Sequence, residues 1–249
     1  MRLVRLAVVL VMCLTAAGLA AQEGFPLFTT DFPPEEFAAR RAKVYEAIGN
    51  QAFAVLQGAP ARPDYIRFRQ NNDFYYLCGI EVPHAYLILD GSTKKASLFL
   101  PHRNEGRERG EGKTLSSEDV EEVKKLAGVD NVYATDLLGE QIMGLQLRRG
   151  MKVLYTPLEA AENASMSRDL ATRFIADTSA DPFDGRPSRE GAFVAKIRER
   201  FPVLEIKDLS PTLDALRLIK SERELVLLRR ASKLAGLAIL EAMKSVRPG

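Results

Sequence analysis

Apolar residues recur at helical spacing between Glu35 and Ile48, with Phe37, Val44 and Ile48 on one side, just after Pro33-Pro34. Ala52 to Leu56 is a short continuous apolar run and predicts a buried strand; Gly58 to Pro63 is a loop broken by Gly and Pro. Residues 66–80 read IRFRQNNDFYYLCGI, and the aromatic second half predicts a strand that contains Cys78. A turn at 81–83 leads to a strand over 85–89, the hairpin signal Asp90-Gly91 and a returning strand over 95–100. This first part therefore reads as a β-meander following one helix.

Residues 102–113, HRNEGRERGEGK, carry no apolar anchor and read as a solvated loop. Beyond it the pattern alternates. Helices are expected over 117–126, 137–147, 160–175 and 188–201, with strands over 131–134, 152–155 and 204–206. The fold class this implies is α/β, a mixed β-sheet flanked by helices. A second unit is expected from residue 209 to 249. It opens with a helix at Ser210-Pro211, and Ser221-x-x-Glu224 is a capping box ahead of a long amphipathic helix reaching Val246. A helix of about 25 residues, roughly 37 Å, needs a partner surface for its leucines. Because Arg247-Pro248-Gly249 follows at once, the expectation is a truncated chain.

The start of the chain is an address. Arg2 and Arg5 precede the apolar run from Leu6 to Ala21, and Gly18-Leu19-Ala20 supplies small residues for cleavage, so residues 1–21 read as a secretory signal peptide. The expected localisation is exported, periplasmic or secreted, with no stable membrane anchor after cleavage. Met12 before Cys13 spoils a lipoprotein-type cleavage box, and loss of Cys13 leaves Cys78 alone, without an internal disulfide. Over 249 residues the chain is 46% hydrophobic and 27% charged, which disfavours disorder, collagen and a multi-pass membrane protein. Removing Arg2 and Arg5 cancels the net charge of +2, so nothing argues for nucleic acid as a partner.

Catalytic chemistry is sparse. His84 and His102 are the two histidines and lack metal-ligand spacing, while carboxylate runs such as Glu118-Asp119-x-Glu121-Glu122 suit a solvated helix face. No Gly-x-Ser-x-Gly is present, and Gly106, Gly110 and Gly112 lack the strand–helix context of a phosphate loop. Asn163-Ala164-Ser165 matches a glycosylation acceptor.

Two stretches resemble a known family. Residues 68–79, FRQNNDFYYLCG, resemble the Arg-Gln-Asn-x-Asp-aromatic-aromatic-Tyr-x-x-Gly signature of the aminopeptidase P N-terminal domain. Asp214 through Glu224, then Leu228-Arg229-Arg230-Ala231 and Ala242-Met243-x-x-x-Arg247-Pro248-Gly249, resemble the opening of that family's pita-bread catalytic domain. The resemblance implies an N-terminal creatinase-like domain over 35–206 and an Xaa-Pro aminopeptidase acting on proline-containing peptides. Prolidase, a creatinase-like relative and a non-catalytic exported binding or oligomerisation module are the alternatives. It also implies two divalent metal ions, usually manganese, held by two Asp, one His and two Glu in the catalytic domain. These ligands are expected beyond Gly249, so no metal or catalytic residue falls in this chain. The N-terminal domain of such enzymes supplies homo-oligomer contacts and a wall of the substrate channel. Asp64, Arg69, Asn71, Asp73, Arg103 and Arg107 are the channel candidates on that basis. Alternatively, Arg69, Asn71 and Asp73 cap and pair with one another structurally. Several relatives carry a Trp in the charged loop where this chain has Gly110.

Overall fold

The computed structural model describes residues 31–61, 68–162 and 166–247. The leader (residues 1–21), Asp64 and the acceptor motif at 163–165 lie outside them. Among the described residues six strands form one mixed sheet in the order β4-β3-β2-β1-β5-β6. They are β1 (Ala52–Gln57), β2 (Tyr86–Asp90), β3 (Lys95–Leu100), β4 (Asn131–Ala134), β5 (Val153–Thr156) and β6 (Glu205–Asp208). Only β2 runs against the rest: it pairs antiparallel with β1 and β3, while β1–β5, β3–β4 and β5–β6 are parallel. The meander expected from sequence is present as β1-β2-β3.

β1 is apolar throughout because both of its faces are covered. Ala52, Ala54 and Leu56 join a core with Phe37, Val44, Leu77, Val123 and Leu213, whereas Phe53 and Val55 join Ile142, Phe193 and Ile197 on the other side. The first face is covered by α1 (Pro34–Ile48), α2 (Asn72–Cys78), α4 (Val120–Ala127) and α8 (Ser210–Leu218). The second is covered by α5 (Leu138–Arg149) and α7 (Arg189–Arg200). Two further helices, α3 (Glu105–Glu111) and α6 (Arg168–Ala180), lie at the surface, and α9 (Glu222–Ser245) follows α8. Leu209 and Leu213 are fully buried in the first core, so the start of the expected second unit packs on the sheet domain.

Three expectations need correction. The aromatic segment is the helix α2, not a strand: Phe74, Leu77 and Cys78 are buried at helical spacing, and Gly79 ends the helix in the left-handed region at φ 70°. Its terminal carbonyls have partners that no local pattern reveals. Arg40 Nη1 donates to Tyr76 O at 3.0 Å, and Arg41 Nη1 donates to Leu77 O at 2.8 Å and to Ala127 O at 3.1 Å. Second, the charged loop is solvated but helical over Glu105–Glu111, because Asn104 caps it and Arg107 pairs with Glu111 one turn on. Third, the helix expected from Ala160 begins at Arg168, where Ser167 supplies the N-cap. Smaller shifts of a few residues occur at the ends of α4 and β6.

Arg40 also joins α1 to α9. Its guanidinium is stacked among the rings of Phe32, Phe37 and Tyr76 and pairs with Glu36 at 2.9 Å and Glu224 at 3.3 Å. The capping box of α9 forms as the sequence predicts, and Ser221 Oγ additionally donates to Glu36 at 2.6 Å.

Candidate functional site

Open α/β sheets offer a crevice where two parallel neighbours send their chains in opposite directions, outside the carboxyl ends of the strands. Here that point lies between β1 and β5: the chain leaves β1 toward β2 and leaves β5 toward β6. A hollow of about 30 Å³ sits there, lined by Gln57, Asn71, Asp73, Thr156, Glu159 and Glu190 among others. Two of the sequence candidates, Asn71 and Asp73, thus share one site. A hollow of this volume holds about one water molecule. It is a junction between elements.

The signature residues are held one by one. Gln70 is buried; its Nε2 donates to Val82 O at 3.0 Å and its Oε1 accepts from Asn71 N at 2.9 Å and from Ala59 N. Asn71 Nδ2 donates to Gln57 O at 3.3 Å, tying the segment to the end of β1. Asn72 N donates to Glu162 O at 2.9 Å. Arg69 turns outward and pairs with Glu81 at 3.1 Å. Asp73 accepts from Arg217 Nη1 at 2.6 Å. Arg69 and Asp73 therefore do not pair with each other: the first-turn position of Asp73 in α2 aims it at α8, away from Arg69.

Arg217 is the hub the sequence does not reveal. Its second nitrogen donates to Glu162 Oε2 at 2.7 Å, and nearby Arg168 makes a two-pronged contact with Asp214, Nη2 to Oδ1 at 2.8 Å. Burial pushes the Asp73 carboxyl above its usual range, with Arg217 opposing the rise. Burial also acts against ionised Glu162, but the bonds from Arg217 and Asn72 outweigh it and hold that carboxyl low. The Asp214 carboxyl is lowered mainly by its hydrogen bond to Arg168. Glu162, Arg168, α2 and α8 are thereby locked together. The only sequence signal for this is three charges in the otherwise apolar face of SPTLDALRLIK.

Arg103 and Arg107 lie apart from that junction, on the excursion between β3 and α4. Arg103 Nη2 donates to Asp119 at 2.6 Å and its backbone N to Glu118 at 2.9 Å; Arg107 pairs with Glu111 at 2.7 Å. His102 Nδ1 lies 2.7 Å from Glu118 Oε1, and this contact raises the His102 pKa and holds Glu118 down to about 2. His84 accepts from Ala61 N at 3.1 Å; burial, then Arg189 and Arg107, lower its pKa. Cys78 is fully buried, and burial pushes its thiol up to about 12. Among the described residues no group of three or more His, Cys, Asp or Glu is placed to hold a metal ion. The chemistry of the site is that of charge pairing and backbone anchoring.

Residues 37–155 match the family model described as "Aminopeptidase P, N-terminal domain". Over those residues the chain resembles the aminopeptidase P N-terminal domain. Among curated relatives, the Xaa-Pro aminopeptidase of Escherichia coli is 29% identical over 223 residues, 86% of this chain and 45% of that protein. Intermediate cleaving peptidase 55 of Schizosaccharomyces pombe is 26% identical over 84% of this chain and 40% of its own length. The chain thus spans less than half the length of these relatives. E. coli aminopeptidase P with the inhibitor Pro-Leu superposes with a TM-score of 0.62 and 25% identity over 88% of this chain and 46% of that one. An aminopeptidase P structure from Bacillus anthracis gives a TM-score of 0.63 at 21% identity, over 80% of this chain and 43% of that one. Asn71 and Asp73 lie within the matched stretch, and Asp73 joins it to α8 through Arg217.

Proposed function

We propose that this chain is the N-terminal portion of an exported Xaa-Pro aminopeptidase, which releases the first residue from peptides beginning Xaa-Pro. The observation that carries this reading is the match over residues 37–155 together with the surface of α9. Leu234, Leu237, Ile239, Leu240 and Met243 all stand exposed, although the segment LAGLAILEAM is apolar around nearly its whole circumference. Helices of that kind are enclosed in an intact protein. On this reading α9 is the first helix of a catalytic domain, and residues of that domain hold two divalent ions, manganese in the usual case. The described residues of this chain contribute no metal ligands. Their part is to hold the catalytic domain at a fixed angle through the Asp73–Arg217–Glu162 junction. The arm around Arg103 and Arg107 supplies oligomer and substrate-channel contacts, and the leader directs the protein to the periplasm or beyond.

The test is hydrolysis of Xaa-Pro peptides by the protein encoded by the complete reading frame, with and without chelation, beside this chain alone. The expected result is release of the N-terminal residue that chelation abolishes, with no turnover by this chain. Cleavage restricted to dipeptides points instead to prolidase, and a complete protein inert toward all Xaa-Pro substrates overturns the proposal.

A further inference from the structure

At the end of the sheet opposite the Asp73 junction, on the face covered by α5, lies a cleft of about 210 Å³. Strand pairing sets its floor. Asp90 stands opposite Lys95, Ile88 opposite Ser97, and Ser97 opposite Asn131, all on the face that elsewhere carries the apolar Phe53, Val55 and Phe99. A strand face roofed by a helix is ordinarily apolar, so this polar end breaks the pattern of its own sheet. Such breaks mark function more often than packing.

The charges do not cancel. Asp90 is consumed: it accepts from Ser92 N and Oγ, from Thr93 N and Oγ1, and from Arg149 Nη1 at 2.8 Å. Lys95 and Arg148 also line the cleft, and among the described residues neither side chain has an ion-pair or hydrogen-bond partner. The cleft therefore carries two uncompensated cations. The Ser97 hydroxyl, which accepts from Asn131 Nδ2 and keeps its own proton, and the amide of Gln141 stand beside them, while the Thr93 hydroxyl is spent on Asp90.

The roof is cut away. Gly144 lies inside α5, where glycine weakens a helix by about 0.5–1 kcal/mol relative to alanine. A Cβ at Gly144 would meet nothing within 4 Å, so no neighbouring protein atom requires the glycine. What its missing side chain leaves is room in the cleft. We propose that this cleft binds a small polyanion, inorganic phosphate or pyrophosphate or a small molecule bearing such a group, clamped between Lys95 and Arg148. Arginine's fork and lysine's point charge with hydroxyl donors are the side-chain set that recognises such oxyanions. The inference stands on the cleft and is independent of the aminopeptidase reading.

The test is a titration of the full chain with inorganic phosphate and with pyrophosphate, read by backbone amide chemical shifts and thermal midpoint against sodium chloride of equal ionic strength. Saturable shifts confined to β3, β4 and α5 are expected. Arg148→Gln, an exposed change that leaves the core alone, should weaken binding at least tenfold. Gly144→Leu should abolish it while raising the thermal midpoint, since leucine favours the helix and fills the cleft. Shifts no larger than chloride gives, or wild-type affinity in the Arg148→Gln and Gly144→Leu proteins, overturn the proposal.

Discussion

Arg217 in the last turn of α8 donates to Asp73 in the first turn of α2 at 2.6 Å, across 144 residues of chain. One bond thus joins the family signature to the helix that leads into α9. Removing one member of such a pair strands the other in a partly desolvated setting. Arg217→Met is expected to cost about 2 kcal/mol, below the 3–5 kcal/mol of a fully buried pair because solvent reaches the guanidinium. Urea unfolding of Arg217→Met, Asp73→Asn and the double variant checks it. The coupling should be at least 1 kcal/mol, and additive losses would show that the two do not interact.

The acid limb of stability follows from the carboxylates. Glu118, Asp119, Glu162 and Asp214 have folded pKa values below their ordinary ones, so the stability they add is present above the usual carboxylate range and is lost as pH falls. Asp73 has the opposite sign: its raised pKa gives a contribution complete at low pH and lost as pH rises through the folded value. Four groups outweigh one. The urea midpoint should decline between about pH 5 and pH 2, and more steeply in Asp73→Asn, which lacks the opposing group.

Tyr45 is buried, and its hydroxyl has no hydrogen-bond partner among the described residues. A stranded buried polar group costs about 1–3 kcal/mol, whereas an apolar replacement of the same shape does not incur that cost. Tyr45→Phe should therefore leave stability unchanged or raise it by up to about 1 kcal/mol. A loss exceeding 1 kcal/mol by denaturant unfolding would mean that the hydroxyl is satisfied in solution.

Gly91 in the β2–β3 turn packs against the backbone oxygens of Gly49 and Ala52, so that a Cβ there would overlap both. Its N–H donates to Ala52 O at 3.1 Å. Gly91→Ala is expected to destabilise by about 2–4 kcal/mol, in the range of other strain and overpacking changes. The thermal midpoint measures it, and Gly110→Ala on the open arm is the control with no steric neighbour within 4 Å.

The apolar length of α9 predicts self-association of this chain. Light scattering should show concentration-dependent species, and replacing Leu234, Leu237 and Leu240 by Gln should reduce them while leaving the sheet domain's unfolding unchanged. A monodisperse wild-type chain at high concentration would contradict this.

Much of the fold was legible in the sequence because it rests on local pattern. β1 reads as continuous apolar text since both its faces are covered, and the Ser221–Glu224 box forms as the spacing predicts. Asp90-Gly91 correctly marked the hairpin, although Gly91 serves there by its size; the positive φ of 56° falls on Lys94. α2 was misread because its helical state depends on Arg40 and Arg41, which satisfy its terminal carbonyls from another helix. Likewise the junction was half legible. The motif pointed to Asn71 and Asp73, but their partners Gln57, Arg217 and Glu162 are distant in the chain, and charge pairing across such distances leaves no periodic trace.

The clasp at Arg40 has a consequence for the order in which the protein can be completed during synthesis. α1 is among the first structured segments to leave the ribosome, yet Arg40 and Glu36 wait for Ser221 and Glu224, up to 185 residues later. Until those residues emerge, a guanidinium set among three aromatic rings lacks part of its countercharge, and Glu36 has Arg40 but lacks the Ser221 hydroxyl. The nascent domain is therefore expected to resist protease only once the start of α9 is outside the exit tunnel. α1 is thus locked by residues at the start of α9, made long after it.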